Sequence, residues 1–156
     1  AQMTWQAGID VLSFGGTKNG CLAAEAVVFF RPELVGDFPF LQKRAGQLLS
    51  KSRFISSQFA GYLKDGTWLR NARQANAMAQ RLSKGLAALP GIELAYPTQS
   101  NEVFVSMPAV LIERLSAQGL SVNDEELDGK AVRFVAAWNT PESQVDDLLK
   151  VLADHC

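Results

Sequence analysis

Apolar positions along this chain follow two rhythms, and the changes between them mark out its elements. Nearly continuous apolar runs at 9–14 and at 22–31, the latter centred on Val27, Val28, Phe29 and Phe30, predict two buried strands. Arg31-Pro32 ends the second, because proline cannot donate to a ladder and its fixed φ suits the start of a helix. Residues 4–8 read as a helix end or loop, 32–36 and 38–50 as short helical pieces, and 54–63 as a helix of mixed burial. The period then lengthens. Leu69, Ala72, Ala75, Ala79, Leu82, Leu86 and Leu89 recur at helical spacing, predicting a long amphipathic helix from an N-cap at Thr67 to about Leu89, closed by Pro90-Gly91.

Beyond residue 91 short strand patterns return. Strands are predicted at 92–95 and 103–107, a helix from Pro108 to about Gln118 closed by Gly119, and a short edge strand at 120–122. The charged stretch 124–130 reads as a solvated loop, 131–138 as a strand, and Thr140-Pro141-Glu142-Ser143 as the start of a final helix to Ala153. This order implies an α/β chain: residues 1–66 as part of a larger domain, 67–90 as a connecting helix, and 91–156 as a small α/β domain with a mainly antiparallel sheet.

Composition removes several function classes. A net charge of −1 gives no electrostatic footprint for nucleic acid or for an anionic membrane. With 47% apolar residues the chain is ordinary for a globular protein, and no apolar run approaches the ~20 residues that span a bilayer. The first residues lack a signal-peptide pattern, and Cys21 and Cys156 lack metal-ligand spacing, so reduced thiols in a cytoplasmic protein are expected. Cys21 is expected to be a buried strand cysteine. His155, the sole histidine, is expected to be solvent-exposed near the chain end. It leaves no Ser–His or Cys–His nucleophile to assemble and no His-bearing zinc site in the core.

The segment Asp10-Val11-Leu12-Ser13-Phe14-Gly15-Gly16-Thr17-Lys18-Asn19-Gly20 carries the most chemistry. A lysine beside Asn-Gly is by itself most often a solvated turn residue. Here it is expected between two core strands, with Gly15, Gly16 and Gly20 removing side chains around it so that a flat partner can approach. A partly desolvated amine with small neighbours suits a nucleophile, and a Schiff base to pyridoxal 5'-phosphate is the pairing most often built this way. Ser13 and Thr17 could donate hydroxyls to a phosphate, or simply form the turn.

Two further places hold candidate anion binders. Arg133 lies inside the strand Ala131-Val132-Arg133-Phe134-Val135, where a charge is costly unless paired. Its planar guanidinium suits a carboxylate, though alternation could equally put it on a wet face. Lys43, Arg44, Lys51 and Arg53 form a basic cluster that reads either as a solvated helix face or as an anion site. Trp68, Arg70, Asn71 and Arg73 are assigned to the connector, with Arg70 as a candidate pocket neighbour.

The lysine segment, together with Glu25-Ala26-Val27-Val28-Phe29-Phe30 and Trp68-Leu69-Arg70-Asn71-Ala72-Arg73-Gln74-Ala75-Asn76-Ala77-Met78-Ala79, resembles the low-specificity L-threonine and phenylserine aldolases. The resemblance covers the whole chain and implies fold type I, the aspartate-aminotransferase fold, here its C-terminal portion. It implies retro-aldol cleavage of threonine, allo-threonine or related β-hydroxy-α-amino acids to glycine and an aldehyde. Lys18 would be the Schiff-base lysine, and Arg133 falls on the arginine that binds the substrate carboxylate. Lys43 matches a lysine, and Arg53 (after a short gap) an arginine, that reach the pocket across a subunit interface, which implies a homodimer or homotetramer. Family members are longer, so the ring stacked on the cofactor and the general base would come from outside these residues. β-Elimination or transamination on the same scaffold, or a fragment that only folds or dimerises, are the alternatives.

Overall fold

The computed structural model describes residues 1–117, 119 and 131–155. The predicted edge strand at 120–122, the charged loop at 124–130 and the helix end at Gln118 lie outside them. The chain divides into two compact units, Ala1–Trp68 and Leu69–Cys156.

In the first unit the two apolar runs form an antiparallel ribbon. Strand β1 (Val11–Gly15) pairs with β2 (Glu25–Phe29), Val11 opposite Phe29 and Gly15 opposite Glu25. Their sequences predict burial on both faces, but neither strand is covered that way. Leu12, Phe14, Ala26 and Val28 are half-buried, whereas Val11, Ser13, Gly15, Glu25 and Val27 are exposed. The cause is one-sided cover: helix α2 (Arg53–Leu63) sets Phe59 and Tyr62 against Phe14, with ring centroids 5.9 and 6.2 Å away. The other face carries Phe29, whose ring meets Phe38 of helix α1 (Phe38–Arg44) edge-on at 5.1 Å. The predicted helix over 38–50 stops at Arg44, because Gly46 turns the chain with φ 72°. The piece at 32–36 is a single 3₁₀ turn over Pro32–Leu34.

Helix α3 (Thr67–Ala87) follows a 3₁₀ turn over Lys64–Gly66. Thr67 is therefore its first residue and not its cap; the hydroxyl donates back to the Lys64 carbonyl at 3.1 Å. In the second unit α3 buries Ala75, Met78, Ala79, Leu82, Ser83 and Leu86, so the predicted stripe is right from Ala75 onward while Leu69 stays exposed. Buried Ser83 accepts a hydrogen bond from the Thr98 hydroxyl at 2.9 Å, which removes the cost of its polar group. A side chain at Gly85 would run into Leu149, so this glycine lets α3 and helix α5 (Glu142–Ala153) approach closely.

The sheet of this unit is antiparallel throughout, in the order β3 (Glu93–Leu94), β4 (Glu102–Ser106), β5 (Val132–Val135). Two of its strands are shorter than the runs at 92–95 and 131–138 that predict them. The last strand stops at Val135, and Asn101 then binds both polar groups of the Ala136 backbone, each at 2.9 Å. Val103, Val105 and Val132 face a core closed by α3, by Leu111 and Leu115 of helix α4 (Ala109–Ala117), and by Val145 and Leu152 of α5. Arg81 of α3 grips Asp146 of α5 through two parallel bonds of 2.8 and 2.9 Å, with Glu142 at 3.5 Å. Thr140 lies outside α5, which starts at Glu142, and its hydroxyl oxygen accepts a bond from the Ala137 backbone N–H at 2.9 Å.

Candidate functional site

Between β1 and β2 the chain makes one 3₁₀ turn, Thr17–Asn19, and Lys18 sits at its centre. The turn is held from both sides. The Gly16 N–H donates to the Ala24 carbonyl at 2.7 Å, and the Gly16 carbonyl accepts from Asn19 and Cys21, each at 3.0 Å. The Thr17 hydroxyl oxygen accepts from the Ala24 N–H at 3.1 Å. The Asn19 amide donates to the Tyr62 hydroxyl near the end of α2 at 2.6 Å and to the Trp68 carbonyl in the first turn of the next long helix at 3.0 Å. Gln58 completes the clamp by accepting from the Leu22 and Ala23 N–H groups at 2.9 and 3.2 Å.

Glycine is required at two of these positions. A Cβ on Gly16 would lie 2.8 Å from the Cys21 sulfur and 3.4 Å from the Tyr62 ring, and Gly20 holds φ 109°. The result is a rigid corner with little side-chain bulk. Lys18 itself is exposed, so its own unit does not supply the partial desolvation expected of it. Cys21 lies just past the turn, outside any strand and only half-buried, which corrects its expected place. Burial, and secondarily the charge of Glu25, raise its pKa and keep the thiol protonated.

The other candidates divide. Ser13 is exposed on β1 and lines a cleft of about 690 Å³ with Glu25, Phe38, Leu41, Ile55 and Phe59. Thr17, Lys18, Lys43 and Arg53 are not among the residues lining it. Lys43 is exposed in the last turn of α1, and Arg53 is exposed at the start of α2 with its guanidinium 5.2 Å from the Phe54 ring centroid. Arg133, in the second unit, is half-buried on β5 and donates through Nη1 to Glu102 Oε1 of β4 at 3.1 Å. The charge inside that strand is thus paired, as burial demands. His155 is half-buried and not solvent-exposed as expected; its carbonyl accepts from Arg114 at 3.4 Å. Among the described residues no group of three or more His, Cys, Asp and Glu could hold a metal ion, and no helix is long and apolar enough to cross a membrane.

Sequence reasoning missed the residues that build the corner. Asn19, Gln58 and Tyr62 act across 35 to 49 positions of chain, and nothing local in the sequence signals such a partner. Glu102 is similar: strand alternation places it on one face, but only the register of β4 with β5 brings it to Arg133.

Residues 1–109 match the family described as beta-eliminating lyase. The chain belongs to that family. It is 47% identical over 148 residues to a low specificity L-threonine aldolase of Pseudomonas sp. (strain NCIMB 10558), covering 95% of this chain and 42% of that protein. It is 41% identical over 150 residues to the protein of the same description from Pseudomonas aeruginosa, covering 96% and 43%. Among solved structures it is similar to a threonine aldolase of Leishmania major, with a TM-score of 0.84 and 28% identity over 94% of this chain and 43% of that one. A 4-hydroxyphenylacetaldehyde synthase of Rhodiola rosea, at 16% identity and a TM-score of 0.68, shares the fold alone. This family member therefore spans about two-fifths of the length of the curated relatives it matches.

The corner fits the lysine-bound cofactor expected from the sequence. An exposed primary amine suits an aldehyde, although the space over Gly15 and Gly16 is taken by the Glu25 carboxylate and the Cys21 sulfur and not left open as the sequence predicts. The Thr17 hydroxyl, whose oxygen already accepts a backbone bond and whose hydrogen can still donate, suits a phosphate.

Proposed function

We propose that this chain is the lysine-bearing part of a pyridoxal-phosphate-dependent aldolase that cleaves threonine, allo-threonine or related β-hydroxy-α-amino acids, phenylserine among them, to glycine and an aldehyde. The observation that carries the reading is the clamped corner that presents Lys18, in a chain up to 47% identical to proteins described as low specificity L-threonine aldolases. Lys18 would hold the cofactor covalently through its amine. The chemistry supplied by the bound cofactor is an electron sink for the pair left on Cα when the Cα–Cβ bond breaks.

This chain's own residues do the positioning. The bonds to Ala24, Tyr62 and Trp68 fix the turn, so the Lys18 amine moves on a stem whose root does not. Thr17, Ser13, Lys43 and Arg53 serve as phosphate donors, the last two within a homodimer or homotetramer. Arg133 binds the substrate α-carboxylate through its planar donor fork and thereby orients the bond to be broken. No candidate for the base that takes the β-hydroxyl proton stands out among the described residues beside Lys18.

Borohydride reduction of the complete cofactor-loaded protein, followed by peptide mass mapping, tests the assignment. The peptide containing Lys18 gains the mass of the reduced cofactor. If that peptide keeps its unmodified mass, the reading is wrong. A second reaction, β-elimination, has one observation in its favour, the description of the matched family. Glycine plus aldehyde as products supports the aldolase; pyruvate or another oxo acid supports elimination.

A further inference from the structure

We propose that Glu102 is a positioning residue for the substrate carboxylate, acting by holding the Arg133 guanidinium in its binding geometry. The inference rests on the reading that Arg133 binds that carboxylate. Residues Glu102, Phe104, Arg133 and Val135 share one face of the β4–β5 pair, because the register sets Phe104 opposite Arg133 and Glu102 opposite Val135. Their neighbours Val103, Val105 and Val132 fill the buried face, so this four-residue face is the outward one. Glu102 lies diagonally across from Arg133, within reach of a long side chain.

The contact is close enough to fix an orientation. Arg133 Nη1 lies 3.1 Å from Glu102 Oε1, with 29% of the arginine side chain and 36% of the glutamate side chain exposed. Arg133 Nε is shut off from solvent, while Nη1 meets the Glu102 carboxylate. The guanidinium is a planar fork of five N–H donors, and Glu102 engages it at Nη1. An arginine on a free stem would lose rotamer freedom each time substrate bound; one already tethered loses less. The opposing effect is repulsion between two carboxylates on one guanidinium. Solvent access to the glutamate screens it. Pre-ordering therefore outweighs repulsion, and removing Glu102 weakens substrate binding.

The test uses the complete cofactor-loaded protein with Glu102→Ala, Glu102→Gln, Arg133→Ala and the Glu102→Ala/Arg133→Ala double variant. Two quantities are read: the split between KM and kcat for threonine, and the dissociation constant of glycine from the change in cofactor absorbance. We expect Glu102→Ala to raise KM and the glycine constant about tenfold with kcat changed less than about twofold, as loss of pre-ordering requires. Glu102→Gln, which keeps an acceptor for Nη1, recovers part of the loss. In the Arg133→Ala background Glu102→Ala has no further effect, because the two act as one unit. If Arg133→Ala raises both constants strongly while Glu102→Ala moves neither, or moves them equally in both backgrounds, the role of Glu102 is overturned and that of Arg133 stands. If Arg133→Ala itself leaves both unchanged, the carboxylate role of Arg133 falls, and this inference with it.

Discussion

The two units of this chain solve opposite problems with similar materials. In the second, every core-facing valine of the sheet is shut beneath helices: Val103, Val105 and Val132 are at most 2% exposed, as are Leu86, Leu115 and Leu152. In the first, the ribbon of β1 and β2 is covered on one face, and only Gly16, Ala24 and Tyr62 among the residues of that unit are buried. Large apolar side chains such as Leu22, Phe40 and Phe54 are left 60 to 88% exposed there. The lesson is where order comes from. The second unit is held by side-chain packing, whereas the corner around Lys18 is held by directed hydrogen bonds, donated by Asn19 and accepted by Gln58 and Thr17. A hydrogen-bonded corner can keep its geometry while leaving an amine accessible; a packed core cannot.

That contrast can be tested most severely at Lys18. In the complete protein Lys18→Ala is expected to lower aldol cleavage by about 10³-fold or more while leaving the thermal midpoint of the cofactor-free form nearly unchanged, since the side chain is exposed. Retained turnover would remove the lysine from the mechanism. Next in size is a matched pair of truncations. Leu86→Ala, at a fully buried site, should cost about 2–5 kcal/mol in a denaturant titration. Leu12→Ala, on the half-covered ribbon, should cost about 1 kcal/mol. Equal losses would mean that the two units are packed alike.

A subtler change acts inside the corner. Gly16→Ala forces a methyl against the Cys21 sulfur and should lower kcat/KM about tenfold by shifting the turn that carries Lys18. Melting curves that fall while kcat/KM holds would show that the turn is not rigid in the way described. The smallest effect concerns the Arg81–Asp146 grip. The bond to Arg81 lowers the Asp146 pKa, so its contribution to stability is present above the ordinary aspartate pKa. It is lost as pH falls through the lowered value, when the carboxylate takes up a proton. Asp146→Asn should therefore narrow the gap in melting temperature between neutral and acid solution, slightly, because the pair is largely exposed. An unchanged gap would assign the acid response to other carboxylates.

Much of the second unit is legible in the sequence. The stripe from Ala75 to Leu86, the alternation in 103–107 and the proline–glycine stops depend on local periodicity, which short-range sterics enforce. The apolar runs at 9–14 and 22–31 mislead about burial because a run of valine and phenylalanine looks the same whether one face or both are covered. Cys21 and His155 are misplaced for a related reason, their surroundings being set by residues distant in sequence.

Neighbouring residues alone are enough to write the α/β class, the long helix, and a lysine set among glycines between two strands. The folded arrangement, and nothing short of it, makes Asn19 anchor that turn to Tyr62 and brings Glu102 to Arg133 across the β4–β5 register. Both are contacts between residues more than 30 positions apart. Such pairings follow from how elements dock, and docking is settled by the packing of whole faces and not by any local pattern.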